Sequence, residues 1–198
     1  MKAWKRHGRG ARVRYVATID RPEASVLRGL LRQVDDMLAD REAAAPSDEL
    51  GALTGIRTGL STTPEDPVLA RLLPDFHRPG EDGGPGRGEP GSTGGAPDGL
   101  SAALRSVREP ELVEAKRSAL ATVLGTCPET GGRVELAAAQ AEDWLTAIND
   151  VRLALGTALE VHEDMPEHLP ADDPRADHLP VYHWLTWLQD SLVTTLTG

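Results

Sequence analysis

Three stretches of this chain set apolar side chains at intervals of three and four residues, and that spacing restricts the fold more than any other feature. Leu27, Leu30, Leu31, Val34, Met37 and Leu38 form the first stripe, on a segment that reads as a helix over residues 21–41. Ala141, Trp144, Leu145, Ile148, Val151, Leu155 and Leu159 line a helix over 136–161, and Val181, Trp184, Leu185, Leu188, Leu192 and Leu196 mark a final one. A stripe with a period near 3.6 residues has to be buried against another apolar surface. The expected fold is therefore mainly α, a single-domain helical bundle spanning 1–198.

A different period governs the start of the chain. Ala11, Val13, Tyr15, Ala17 and Ile19 alternate with Arg12, Arg14, Val16 and Thr18, as in a half-buried strand. Residues 3–7 can pair with it across His7, Gly8, Arg9 and Gly10, giving a short N-terminal β-hairpin that needs helices beneath it. Asp20 then caps the first helix, with Glu23 three residues on, as in a capping box.

Punctuation divides the middle of the chain. A weak helical piece is expected at 47–55, and Asp66-Pro67 opens a short helix that Pro74 stops. Between Pro79 and Pro97, 12 of 19 residues are Gly or Pro, which predicts a disordered insert within the one domain. Helical pattern resumes at Asp98. Pro110 is expected to break it, and a further helix runs from Glu111 to Leu124 with Gly125 as terminator.

Charge and cysteine usage narrow the class of function. The first 14 residues carry six positive charges, with no acid before Asp20, inside a chain of net charge -10. An acidic body repels phosphates, so nucleic acid could be touched only through this basic arm, where Trp4 and Tyr15 interleave with Lys5, Arg6, Arg12 and Arg14. The N-terminus has the charges of a signal peptide without its apolar run, and no stretch is apolar enough to span a membrane. A cytoplasmic protein is the expectation. Cys127 is the single cysteine, so a disulfide within the chain and a cysteine zinc cluster are both ruled out.

No catalytic, cofactor-binding or metal-ligating set emerges, and the chain reads as a non-enzyme. Cys127 follows a helix C-terminus, where the dipole opposes a thiolate, although it remains a candidate redox thiol. His162, Glu163, Asp164, Glu167, His168, Asp172, Asp173, Asp177, His178 and His183 crowd one connection, but Pro166, Pro170 and Pro174 prevent a helix from holding them at metal-ligand spacing. The glycines of 83–88 follow no strand and lack the lysine of a phosphate-binding loop. Arg152 lies partly on an apolar helix side and needs a partner if buried. A polar network of Asn149, Asp150, Arg152 and Asp190 is expected there, and an enzyme would have to build its pocket around it. Tyr182 and Trp187 offer an aromatic end face for a partner.

Three segments carry a resemblance. Asp66-Pro-Val-Leu-Ala-Arg-Leu-Leu-Pro74, Trp144-Leu-Thr-Ala-Ile-Asn-Asp-Val-Arg-Leu-Ala-Leu-Gly156 and Tyr182-His-Trp-Leu-Thr-Trp-Leu-Gln-Asp-Ser-Leu-Val193 are similar to an actinobacterial family of unknown function. With the helix at 21–41 the similarity covers most of the chain. The resemblance implies no enzyme activity; genes of the family commonly sit beside the adaptor of the Clp protease, and one member is an oxidative-stress regulator. It implies a stress- or transcription-linked regulator that contacts a sigma factor or RNA polymerase, with an accessory role in Clp-type proteolysis as the alternative. It also implies redox sensing through a disulfide within the chain. Cys127 has no partner for one, so sensing here would need an intermolecular disulfide or a small-thiol adduct. Ala158 stands where the family pattern has a second arginine.

Overall fold

Asp20 and Glu23 close a reciprocal capping box: the Glu23 N–H donates to Asp20 Oδ1 at 2.9 Å and the Asp20 N–H to Glu23 Oε2 at 2.8 Å. Two of the helix's orphan donors are thereby satisfied. Helix α1, Arg21–Ala43, follows and buries Leu27, Leu31, Val34 and Leu38, as its spacing predicts. The computed structural model describes residues 1–45, 58–75 and 96–198. The expected helix at 47–55 and residues 79–95 of the Gly/Pro-rich segment lie outside them.

Before α1, strand β1 (Lys2–His7) pairs antiparallel with β2 (Arg14–Ile19), setting Arg6 opposite Tyr15 and His7 opposite Arg14. The hairpin is therefore present, but the alternating run starts later than residue 11, because Gly10–Arg12 form a 3₁₀ turn. Gly8, at φ 85°, is required there, since a Cβ would stand 2.4 Å from the Arg12 carbonyl oxygen. A third strand, β3 (Gly132–Leu136), pairs antiparallel with β2 and gives the order β1-β2-β3. Its alternation was legible, with Val134 and Leu136 buried and Arg133 and Glu135 exposed, but the helix expected from residue 136 absorbs its end.

Helix α2, Pro67–Leu72, begins as expected on Asp66, whose Oδ1 accepts from the Leu69 N–H at 2.9 Å. Helix α3, Ala96–Thr126, corrects two expectations. It runs unbroken for 31 residues through Pro110. A proline inside a helix leaves the carbonyl four residues earlier without its donor. Here that carbonyl, Ser106 O, accepts from the Gly59 N–H at 2.7 Å. Gly59 also lies so close that a Cβ would meet Pro110 Cγ at 2.9 Å. The glycine and the proline are made for each other. At the other end, Gly125 does not terminate α3; instead Arg28 Nη1 donates to the carbonyls of Leu124 (2.6 Å) and Cys127 (2.8 Å). A cation at the negative end of a helix does the work of the left-handed glycine.

Helices α4 (Ala138–Ala158) and α5 (Leu179–Thr197) complete the described elements. Alanines Ala141, Ala147 and Ala154 are buried beside Trp144, Ile148 and Val151, which lets α3 and α2 approach α4 closely. The helices cover one face of the sheet, on which Trp4, Tyr15, Ala17, Ile19, Val134 and Leu136 are buried in a core continuous with that of α1, α3, α4 and α5. The outer edge of β1 is closed by a helix and not by another strand. The Trp4 N–H donates to Ser191 Oγ at 3.0 Å, and Thr195 Oγ1 donates to the Trp4 carbonyl at 3.3 Å.

Candidate interaction surfaces and the buried thiol

Successive strand residues face opposite sides of a sheet. With Trp4, Tyr15, Ala17 and Ile19 turned to the helices, Lys5, Val16 and Glu135 form a row across the opposite side, flanked by Arg14, Thr18 and Arg133. Lys5, Arg14, Thr18, Arg133 and Glu135 are exposed. Arg133 Nη2 is held at 3.0 Å by Glu135, and Arg14 Nη1 donates to its neighbour's Val13 carbonyl at 2.8 Å. Arg6 and Arg12 are exposed at the turn end of the hairpin. Of the basic residues expected to form an arm, Lys5 and Arg14 are thus presented on an ordered, three-stranded surface, while Arg6 and Arg12 lie at its turn end.

The aromatic residues do not join that surface. Trp187 is 41% exposed, while Tyr182 is half-buried at the opposite end of α5 from the turns that touch β1. From Tyr182 to Ser191 a helix rises roughly 13 Å at 1.5 Å per residue. Tyr182 and Trp187 also lie about 140° apart around α5, so they do not share a face. The basic residues and the aromatic ones therefore lie in separate places, and Tyr182 and Trp187 do not form one end face.

The expected polar network is also divided. Asn149 and Arg152 do meet, with Arg152 Nη2 donating to Asn149 Oδ1 at 3.2 Å, and Gln189 Nε2 reaching the same oxygen at 3.2 Å. Asp190 takes no part: it is exposed, and Gln189 beside it supplies the α5 contact. Asp150 turns to α3, where Lys116 Nζ donates to its Oδ1 at 2.6 Å. Residues two apart on a helix point in nearly opposite directions, so Asp150 and Arg152 cannot share one cluster. Burial pushes the Asp150 carboxyl above the usual carboxylate range, and the Lys116 ammonium pulls it back. Neither Asn149 nor Asp150 lines the recess that Arg152 borders.

Arg152 does border a hollow. It and Arg71 of α2, Gly156 and Thr157 of α4, Glu160 and Tyr182 line an open recess of about 450 Å³. Gly156 is needed there, because a Cβ would lie 2.9 Å from Tyr182 Cε2. Glu160 follows the end of α4 in the left-handed region at φ 53°, a conformation side chains other than glycine seldom adopt. Arg71 carried no periodic signal of its own; its place within the segment 66–74 was the sole hint. Ala158 belongs instead to a small apolar crevice of about 80 Å³ between α1, α2 and α4.

Cys127 is 3% exposed, directly after α3. Burial pushes its thiol pKa up, and the nearby Arg28 charge offsets this only in part. The guanidinium of Arg28 is in any case committed to the two carbonyls and, at 3.1 Å, to Glu129 Oε1. A thiol so placed is a packing group rather than a nucleophile. Modification of the folded chain by an aromatic disulfide reagent is expected to be on the order of 100-fold slower than in denaturant, the factor set by a local opening of about 3 kcal/mol. Stopped-flow thiol titration measures it; equal rates in the two conditions would mean an accessible thiolate.

The acidic and histidine-rich connection between α4 and α5 is organised by Arg175, whose Nη2 lies 2.9 Å from Asp173 Oδ2. The Arg175 side chain, with its own N–H, holds the Asp173 carboxyl down at about 2. Among the described residues no three His, Cys, Asp or Glu side chains gather as metal ligands would. No helix among them is long and apolar enough to cross a membrane.

Known proteins supply the remaining comparison. The chain is 43% identical over 198 residues to a protein of Mycobacterium tuberculosis named oxidative stress regulator AosR, covering all of this chain and 89% of that one. The same figures hold for the protein of that name from Mycobacterium bovis. No solved structure matches. A family model described as Domain of unknown function (DUF2017) matches residues 1–196, and the chain belongs to that family.

Proposed function

We propose that this chain is a non-enzymatic regulator of the oxidative-stress response that acts by contact with a sigma factor or RNA polymerase. The observation that carries the reading is the likeness, along the whole chain, to relatives named oxidative stress regulators. Two features favour contact over catalysis. Asp150 and Glu109, the buried carboxylates among the described residues, are held by Lys116 of α3 and by Arg41 of α1 with Arg105 of its own helix, and so are spent on packing. The side of the sheet that none of the described helices covers, with Lys5 and Arg14 exposed, suits an acidic protein surface. The stress signal does not pass through a disulfide within this chain, because Cys127 is its only cysteine.

The test is direct binding of the purified chain to the sigma factors and core RNA polymerase of its own organism, followed by interferometry. One of them is expected to bind. Reversing charge in a Lys5→Glu, Arg14→Glu variant should weaken that complex roughly tenfold, about 1.4 kcal/mol for two rim charges. Failure of all of them to bind, with retention of Clp components instead, would replace this reading with the accessory role in proteolysis.

A further inference from the structure

This fold answers its shielded arginines with carboxylates almost everywhere. Arg28 meets Glu129, Arg41 and Arg105 meet Glu109, and Arg117 meets Asp35 and Glu42. The recess between α2, α4 and α5 departs from that pattern. Arg152 is half-buried there, yet its one hydrogen bond goes to the neutral Asn149 oxygen, and its Nε–H is shielded from water without an acceptor. Arg71, across the recess, has no carboxylate within ion-pair distance among the described residues. Glu160 is the one carboxylate among the described residues that line the recess; it is mostly exposed, with Oε2 3.9 Å from Arg175 Nη1.

We infer that this recess binds a small anion carrying a carboxylate or phosphate group, gripped between the guanidinium groups of Arg152 and Arg71. Its volume of about 450 Å³ falls in the range of small-molecule sites. Guanidinium donors match the paired oxygens of both groups. Tyr182, whose ring carbons lie over Gly156, adds an aromatic wall beside the two charges. The site goes beyond the proposed partner contact: it gives a regulator an input for a small molecule, in a place remote from the basic sheet surface.

Isothermal titration of the full chain with inorganic phosphate and with succinate, at constant ionic strength in chloride, tests the site. Saturable binding of at least one probe is expected, and the better probe identifies the class of head group. Arg152→Gln and Arg71→Gln should each weaken it about tenfold or more, because each removes a charge-assisted hydrogen bond to the anion. Arg133→Gln, on the sheet, should leave it unchanged. Arg71 is exposed, so its variant reports on the site even if Arg152→Gln perturbs the fold. Absence of saturation with both probes would overturn the inference, as would an equal loss in Arg133→Gln.

Discussion

Replacing Glu109 with alanine is expected to lower the stability of this protein by about 3–5 kcal/mol, the usual consequence of removing one member of a buried ion cluster. The Glu109 side chain is 3% exposed and takes Arg41 Nε at 2.7 Å and Arg105 Nη1 at 2.7 Å. The alanine variant would leave two guanidinium groups facing each other in a low-dielectric site. Nor would the damage stop there. Arg105 also holds Asp75 and the Leu73 carbonyl, and Arg41 holds the Thr62 carbonyl, so the cluster adds to the Gly59 hydrogen bond and the packing of α2 in fastening residues 58–75. Urea unfolding measures the loss. A triple variant, Arg41→Leu, Arg105→Leu, Glu109→Leu, should be less destabilised than Glu109→Ala, because the one charge it leaves unpartnered, Asp75, is exposed to water and not buried. If the single variant costs under 1 kcal/mol, water reaches the cluster and the burial argument fails.

Trp144→Ala should cost a similar amount, about 3–5 kcal/mol, for a different reason. Trp144 is fully buried, and its ring meets that of Trp4 edge to face, with centroids 5.3 Å apart and planes at 79°. Its Nε1–H donates to Thr126 Oγ1 at 2.7 Å. One side chain thus joins β1, the end of α3 and α4. Truncation opens a large void in which Trp4 loses its partner, and the cost grows with the volume the surroundings cannot refill. Trp144→Phe keeps an aromatic ring against Trp4 but drops the donor, and is expected to lose about 1–2 kcal/mol. Thermal and chemical denaturation of both variants provide the comparison; equal stabilities for Ala and Phe would show that packing at Trp4 contributes nothing.

What could be read beforehand was what local chemistry decides. The capping box of Asp20 and Glu23, the Asp66 cap and the stripes of α1 and α5 depend on residues within one or two turns of each other, and the structure has them where the spacing put them. The errors share another cause. Pro110 breaks a helix unless a donor from elsewhere serves Ser106, and that donor, Gly59, is 47 positions away from it. Gly125 is a good terminator only if no cation reaches the last carbonyls, and Arg28 arrives from α1 to do so. The same holds for sites. Asp190 on α5 was expected to partner Arg152, but the acceptor is Asn149, three residues back on its own helix, and Gln189 of α5 donates to that same oxygen. Arg71 and Tyr182, from segments far apart, share a hollow that no local pattern announces.

The seal on β1 bears on how such a chain is made. Its backbone groups at Trp4 are satisfied by hydroxyls that lie 187 and 191 residues downstream. During synthesis the first strand therefore emerges long before its cover, and throughout that interval it offers a bare template to any extended neighbour. Three of its six residues, Lys2, Lys5 and Arg6, are cationic, and mutual repulsion between nascent copies protects the edge until the final helix leaves the ribosome and docks.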